Sequence, residues 1–193
     1  MQINFSYFSG KGKWLSSLYL LSAGLVAFCL FSTNTFAQQT MLPADESRDY
    51  RDARQWFAEG NYALSYPVFK RMEHQFKQRV PMAYELALDE IRFFAIACEL
   101  QLENAAAENN AREYLKTVQS DGPRASMSAH LGRYYFRKEN FAAAAEAFAQ
   151  TNPDNLSDSD KDQWLFEYGY SLFTQKKLKE AKPLLDEVRQ NAA

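Results

Sequence analysis

The sequence predicts an all-α fold made of repeated helical hairpins, and three observations predict it. Beyond Ala37 the apolar residues recur at helical spacing almost throughout, with short turns between and no sustained two-residue alternation. Glycine and proline are scarce, 7 and 6 among 193 residues, which argues against a low-complexity chain and against a many-turned β-sandwich. The third observation is a set of offsets that returns along the chain. Counted from Gly132, Tyr135, Phe141, Ala144 and Phe148 follow at three, nine, twelve and sixteen residues. The same offsets from Gly169 give Leu172, Leu178, Ala181 and Leu185, and from Ala53 they give Trp56, Tyr62, Ser65 and Phe69.

Residues 1–37 precede this pattern and read as a leader. Lys11 and Lys13 are its only charges, and the apolar run Trp14–Phe31 follows them. Small residues at Thr35 and Ala37 complete a secretory signal peptide with cleavage expected after Ala37. The alternative is an uncleaved anchor, since an 18-residue apolar run is just long enough to span a bilayer. Cleavage would leave 193 − 37 = 156 residues and a formal charge of −2 − 2 = −4. Cys98 is then the one remaining cysteine. It lies in the apolar run Phe93–Leu100 and reads as a buried, inert thiol.

Residues 38–46 read as a flexible linker, and the first copy of the pattern as 47–80. Asp49 and Asp52 stand where later copies carry Ile96, Leu131 and Tyr168, which suits the polar outer face of a terminal unit. Gly60 fits the turn. The second copy, 81–122, is referred to Ala97, and its second half fits with a turn two residues longer, giving Ala111, Leu115 and Val118. Pro81 suits the first position of a helix running through Leu100. Copies three and four, 125–156 and 160–193, centre on Gly132 and Gly169. Pro67 and Pro183 each fall fourteen residues after their reference residue, early in a second helix. Ser157 or Ser159 is placed to cap the helix Lys161–Phe173, with Asp154, Asp158, Asp160 and Asp162 favouring its N-terminus; that acidic run lacks the glycine and final glutamate of a calcium loop.

Small residues at Ala53, Ala97, Gly132 and Gly169, matched by Ser65, Ala111, Ala144 and Ala181, would let paired helices approach closely. Trp56, Phe69, Tyr135 and Phe148 would fill the layers between pairs. Glycine inside a helix costs about 1 kcal/mol relative to alanine, so two glycines at matching positions call for a packing reason.

This spacing resembles the tetratricopeptide repeat, a helix–turn–helix unit of about 34 residues. The resemblance covers roughly Ser47 to Ala193 and implies a helix-turn-helix solenoid of about four repeats. It also implies a concave groove, lined by the first helix of each repeat, that receives protein partners. The residues three before, one after and four after each reference position share that helical face. They are Tyr50, Arg54 and Phe57; Phe94, Cys98 and Gln101; Ala129, Arg133 and Phe136; Phe166, Tyr170 and Phe173. Nine of these, Tyr50, Arg54, Phe57, Phe94, Arg133, Phe136, Phe166, Tyr170 and Phe173, are the candidate partner-binding residues, because aromatics and arginine dominate binding hot spots. The lysine/asparagine clamp by which some such repeats grip chaperone C-termini is not reproduced at Arg54, Cys98, Arg133 and Tyr170. A helix or extended peptide with apolar anchors and an acidic residue or two is the expected partner.

No catalytic constellation accompanies the pattern. His74 and His130 lack partner motifs, and the chain has no His-Glu-x-x-His, paired Cys-x-x-Cys or Gly-x-Ser-x-Gly sequence. No enzyme activity, cofactor or metal is therefore expected. A formal charge of 22 − 24 = −2 gives no general grip on nucleic acid or anionic membranes. The chain ends at Ala193 without an extra covering helix, so Leu172, Leu185 and Val188 are expected to be partly open to water, inviting self-association or further repeats.

The chain is also similar to the start of exported tetratricopeptide arrays of Gram-negative bacteria. That resemblance implies a non-enzymatic scaffold of the cell envelope, periplasmic or outer-membrane associated. The alternatives are an assembly element stacking through its last repeat, the N-terminal part of a longer array, or an accessory module of an envelope enzyme such as a cell-wall hydrolase.

Overall fold

The structure is a computed structural model that describes residues 44–79 and 85–191, all within the compact unit Met41–Ala193. The expected leader, its cleavage site and Pro81 lie outside the described residues. Among the described residues there are eight α-helices and no strand. They are α1 (Ala44–Ala58), α2 (Tyr62–Arg79), α3 (Glu85–Gln101), α4 (Ala107–Thr117), α5 (Asp121–Arg137), α6 (Phe141–Ala149), α7 (Asp158–Thr174) and α8 (Leu178–Asn191). A short 3₁₀ turn, Pro153–Asn155, joins α6 to α7. Because α1 begins at Ala44, the last residues of the expected linker 38–46 are already helical.

Each helix packs on the next in the chain, and α5 also meets α3 and α7. The close crossings are built from the small residues. A β-carbon on Gly132 would lie 2.4 Å from the Phe148 ring, and one on Gly169 would lie 2.8 Å from Leu185. In both cases the obstacle stands sixteen residues on, so the recurring offset corresponds to a physical contact. Ala53 and its counterpart Phe69 are both fully buried, as are Ser65, Ala111 and Ala144.

The turns inside the four hairpins share one backbone solution. A residue of positive φ sits at Gly60 (77°), Glu103 (54°), Glu139 (56°) and Lys176 (62°). The next residue then returns its N–H to a carbonyl five positions back: Asn61 to Trp56 (2.8 Å), Asn104 to Glu99 (3.0 Å), Asn140 to Tyr135 (2.9 Å) and Lys177 to Leu172 (3.0 Å). This closure satisfies orphan carbonyls at each helix end and reverses the chain in few residues. Between hairpins, the Ser157 Oγ accepts the Asp160 N–H at 3.2 Å and starts α7. Of the two serines considered for that cap, Ser157 is the one used. Pro67 and Pro183 lie inside α2 and α8, beyond the first turn. The carbonyls they leave unpaired belong to the exposed residues Ala63 and Lys179, where water can reach them.

The largest core cluster spans α3 to α7, with Leu100, Tyr114, Met127, Tyr135, Phe148 and Trp164 at its centre. The Trp164 indole N–H donates to the Phe148 carbonyl at 3.2 Å. At the C-terminal end, Leu172 is buried against Ala145 and Ala181, contrary to its expected exposure. Helix α8 lies directly over it. Leu185 and Val188 are half-buried, and Leu178, 57% exposed, is the open side chain there. Among the described residues no helix is long and apolar enough to cross a membrane.

Candidate aromatic binding surface

The nine candidate residues fall into an N-terminal group, a buried arginine and a C-terminal group. In the first group Phe94 of α3 is buried, stacked on Phe69 at 5.2 Å and met edge-on by Phe57 at 5.0 Å. Tyr50 and Phe57 are half-buried, and Tyr50 packs edge-on against Phe69. Arg54 is open to solvent. Its guanidinium lies 4.4 Å over the Phe94 ring and 2.6 Å from the Glu90 carboxylate, and donates to the Tyr50 hydroxyl at 3.3 Å. Burial holds the Tyr50 hydroxyl well above its ordinary pKa, so it stays protonated. Beside these residues is a cleft of about 460 Å³, walled by Phe93, Phe94, Tyr114, Val118 and Pro123 with Arg54, Asp89 and Glu90.

Arg133 does not belong to the surface. Its side chain is 7% exposed, and it donates to the Asp160 carboxylate at 2.8 Å and to the Asp160 carbonyl at 3.2 Å. Its Nε lies 3.9 Å from the buried Glu167 carboxylate. The reason is position in the chain of helices. The face of α5 that carries Arg133 is covered by α7, whereas among the described residues no further helix pair covers Tyr170, and Arg54, though it meets Phe94 and Glu90 of α3, keeps a side chain 45% exposed. Cys98 and Ala129 are buried as well, Cys98 in one cluster with Ala53 and Phe69 of the preceding hairpin. The Cys98 thiol, 3.3 Å from the Ser65 hydroxyl, is pushed up to about 11 by burial and is inert at neutral pH.

Around Arg133 the electrostatics are mixed. Burial raises the Glu167 pKa, opposed by its hydrogen bond from Gln163 and by the Arg133 charge. Burial would raise Asp160 as well, but the Ser157 and Arg133 contacts reverse the sign and hold it below the usual range. His130, on the same helix, is half-buried between the edges of Phe57 (6.1 Å) and Phe93 (5.8 Å). Burial and then the Arg133 charge push its imidazole down to about 4, so it is neutral at physiological pH. His74 is exposed and hydrogen-bonded to Gln78 at 2.9 Å.

The C-terminal group is the open one. Phe166, Tyr170 and Phe173 are 47%, 40% and 54% exposed and follow one another along a single stripe of α7. Phe136 of α5, half-buried, supports the stripe through contacts to Phe166 (6.5 Å) and Tyr170 (5.7 Å). Phe141, at the start of α6, meets Phe136 at 5.6 Å and Tyr170 at 5.5 Å.

In the sequence Phe141 stands only as a repeat marker, and no spacing there places Phe93, Tyr114, Asp89 or Glu90 on a surface. A face defined by three offsets on the first helices cannot include a residue contributed by the turn into a second helix. The arrangement offers recognition chemistry: aromatic faces and a partly neutralised charge cluster. Among the described residues no group of histidines, cysteines and carboxylates is placed to hold a metal ion. Compared with protein-family models, curated proteins and solved structures, the chain finds no match in any of the three.

Proposed function

We propose that this protein is a non-enzymatic adaptor that binds a protein segment across the first helices of a tetratricopeptide-like solenoid. The observation that carries the reading is the exposed stripe Phe166, Tyr170 and Phe173, backed by Phe136 and Phe141. Covering the open half of three such rings would contribute roughly 6 kcal/mol before ordering costs, enough for a specific contact. The repeat reading is supported by the sixteen-residue contacts of Gly132 and Gly169 and by the recurrent left-handed turn residue. Placement in the periplasm or at the outer membrane rests on the leader-like residues 1–37 alone. An acidic partner is less favoured than the sequence suggested, because Glu90 already pairs with Arg54 and Asp160 with Arg133.

The test is to pan a random-peptide display library against the purified protein and to measure the enriched peptides against Phe166→Ala/Tyr170→Ala. Both residues are nearly half exposed and lie on the solvent side of α7, so the helical circular dichroism should persist while affinity falls at least tenfold. Peptides that bind the double variant as well as the parent would refute the reading.

A second reading, self-association through the last hairpin, draws on the exposure of Leu178 and the half-buried Leu185 and Val188. Light scattering over a concentration series, with Leu178→Glu as the control, separates it from the first.

A further inference from the structure

The cleft beside Arg54 has a chemistry of its own. Its inner wall is formed by Phe94 and Tyr114, 8% and 2% exposed, while Arg54, Asp89 and Glu90 are each about half exposed and so stand at its mouth. Two carboxylates there face one guanidinium. Arg92 offsets Asp89 only loosely: it lies 3.8 Å away, beyond hydrogen-bond distance, and is equally far from Glu73, which Lys70 and Lys77 hold at 2.8 and 2.7 Å.

Arg54 shows what the walls accept: a planar cation over the Phe94 ring with a carboxylate at its edge. Phe93 and Tyr114, their ring centroids 6.2 Å apart, present a second pair of rings beside Asp89 in the same cleft. The Tyr114 hydroxyl is pushed up to about 12 by burial and then by the Asp89 charge, so it adds no charge of its own at neutral pH.

We propose that this cleft receives a basic side chain, lysine or arginine, from the bound segment. Its alkyl stem lies against Phe93 and Tyr114 and its charged head meets Asp89. Lysine and arginine are the side chains that combine an apolar stem with a cationic tip, and a cation gains further from aromatic faces. An acidic side chain in the same place would meet Asp89 and Glu90 and be repelled. The inference rests on the adaptor reading above and names the charge of its partner.

The experiment uses the same display selection on the full chain, run at low salt, where exposed charge pairs are least screened. Enriched peptides should carry a lysine or arginine at a constant distance from their apolar anchors. Replacing that residue by glutamine should weaken binding about fivefold, the scale of an exposed charge pair. Asp89→Asn should weaken the parent peptide by a similar factor and leave the glutamine peptide unchanged. Asp89 is partly exposed, so this substitution should leave the helical signal intact. Enriched peptides without a basic residue, or unaltered affinity in Asp89→Asn, would overturn the inference. If Phe166→Ala/Tyr170→Ala abolishes binding while Asp89→Asn does nothing, the adaptor reading survives and the basic-residue cleft falls. If no peptide binds through either surface, both fall.

Discussion

Gly132 lies so close to Phe148 that a β-carbon there would sit 2.4 Å from the ring, inside any permissible contact. Phe148 is fully buried, so its ring has no open space to move into. Gly132→Ala should therefore destabilise the fold by about 1–3 kcal/mol through overpacking, even though alanine is intrinsically the better helix former by about 1 kcal/mol. Gly169→Ala tests the mechanism. Its obstacle is Leu185, a half-buried side chain on the last helix, which can shift, so the net change should be close to zero. Urea unfolding of both variants decides the matter. Phe148→Leu combined with Gly132→Ala should cost less than the sum of the single changes, because the shorter side chain relieves the clash. Strict additivity would remove close crossing as the reason for the glycine.

Arg133 holds together a buried group of charges, and its loss should be felt as stability. Removing it leaves Glu167, 8% exposed, without its nearest cation and withdraws the 2.8 Å bond to Asp160. Arg133→Ala should cost about 2–4 kcal/mol, in the range for breaking a largely buried pair from one side. Glu167→Gln in the same chain should recover part of that loss by removing the stranded charge. The measurement is chemical denaturation of the two single variants and the double. Equal stability of Arg133→Ala and the parent would mean the buried arrangement contributes nothing. Peptide affinity, measured well below the unfolding transition, should be nearly unchanged in Arg133→Ala, in contrast to Tyr170→Ala.

The contrast between Arg133 and Tyr170 also shows how far the sequence can be read. Both stand one residue after a reference glycine, and helical periodicity assigns them to the same face. Whether another helix crosses that face is a tertiary fact. In α5 the face is covered by α7 and the polar side chain is buried with its partners. In α7 no following hairpin covers it among the described residues, and Tyr170 is 40% exposed. The helix register is legible because close crossings require small residues, and Gly132 and Gly169 mark them.

The hairpin turns are legible only at Gly60. Glu103, Glu139 and Lys176 adopt the same left-handed backbone without a glycine to announce it. A non-glycine residue there costs roughly 1–2 kcal/mol, a strain that the surrounding hydrogen bonds and packing can hold. The cleft that holds Phe93, Tyr114 and Asp89 is drawn from α1, α3, α4 and α5 and leaves no local signature at all.

His130 makes stability depend on pH, and the sign follows from where the proton binds. In the unfolded chain an ordinary imidazole takes a proton near pH 6.5. In the fold, packed between Phe57 and Phe93 with the Arg133 charge nearby, it does so only near pH 4. Between those values the unfolded state carries more protons, so stability falls as the pH drops through that window. The contribution is fully present above about pH 6.5 and fully lost below about pH 4, with a total of about 3 kcal/mol. Asp160 acts in the same direction but at lower pH, because its pKa is held below the carboxylate range, while the raised pKa of Glu167 acts in the opposite direction. Comparing the parent with His130→Gln cancels most of these background terms. Unfolding free energies measured from pH 7 to pH 4 should fall more steeply for the parent, and the difference between the two curves should close as pH 4 is approached. Parallel curves would show that the imidazole is protonated as readily in the fold as in the unfolded chain, and that its place between the two rings does not exclude the charge.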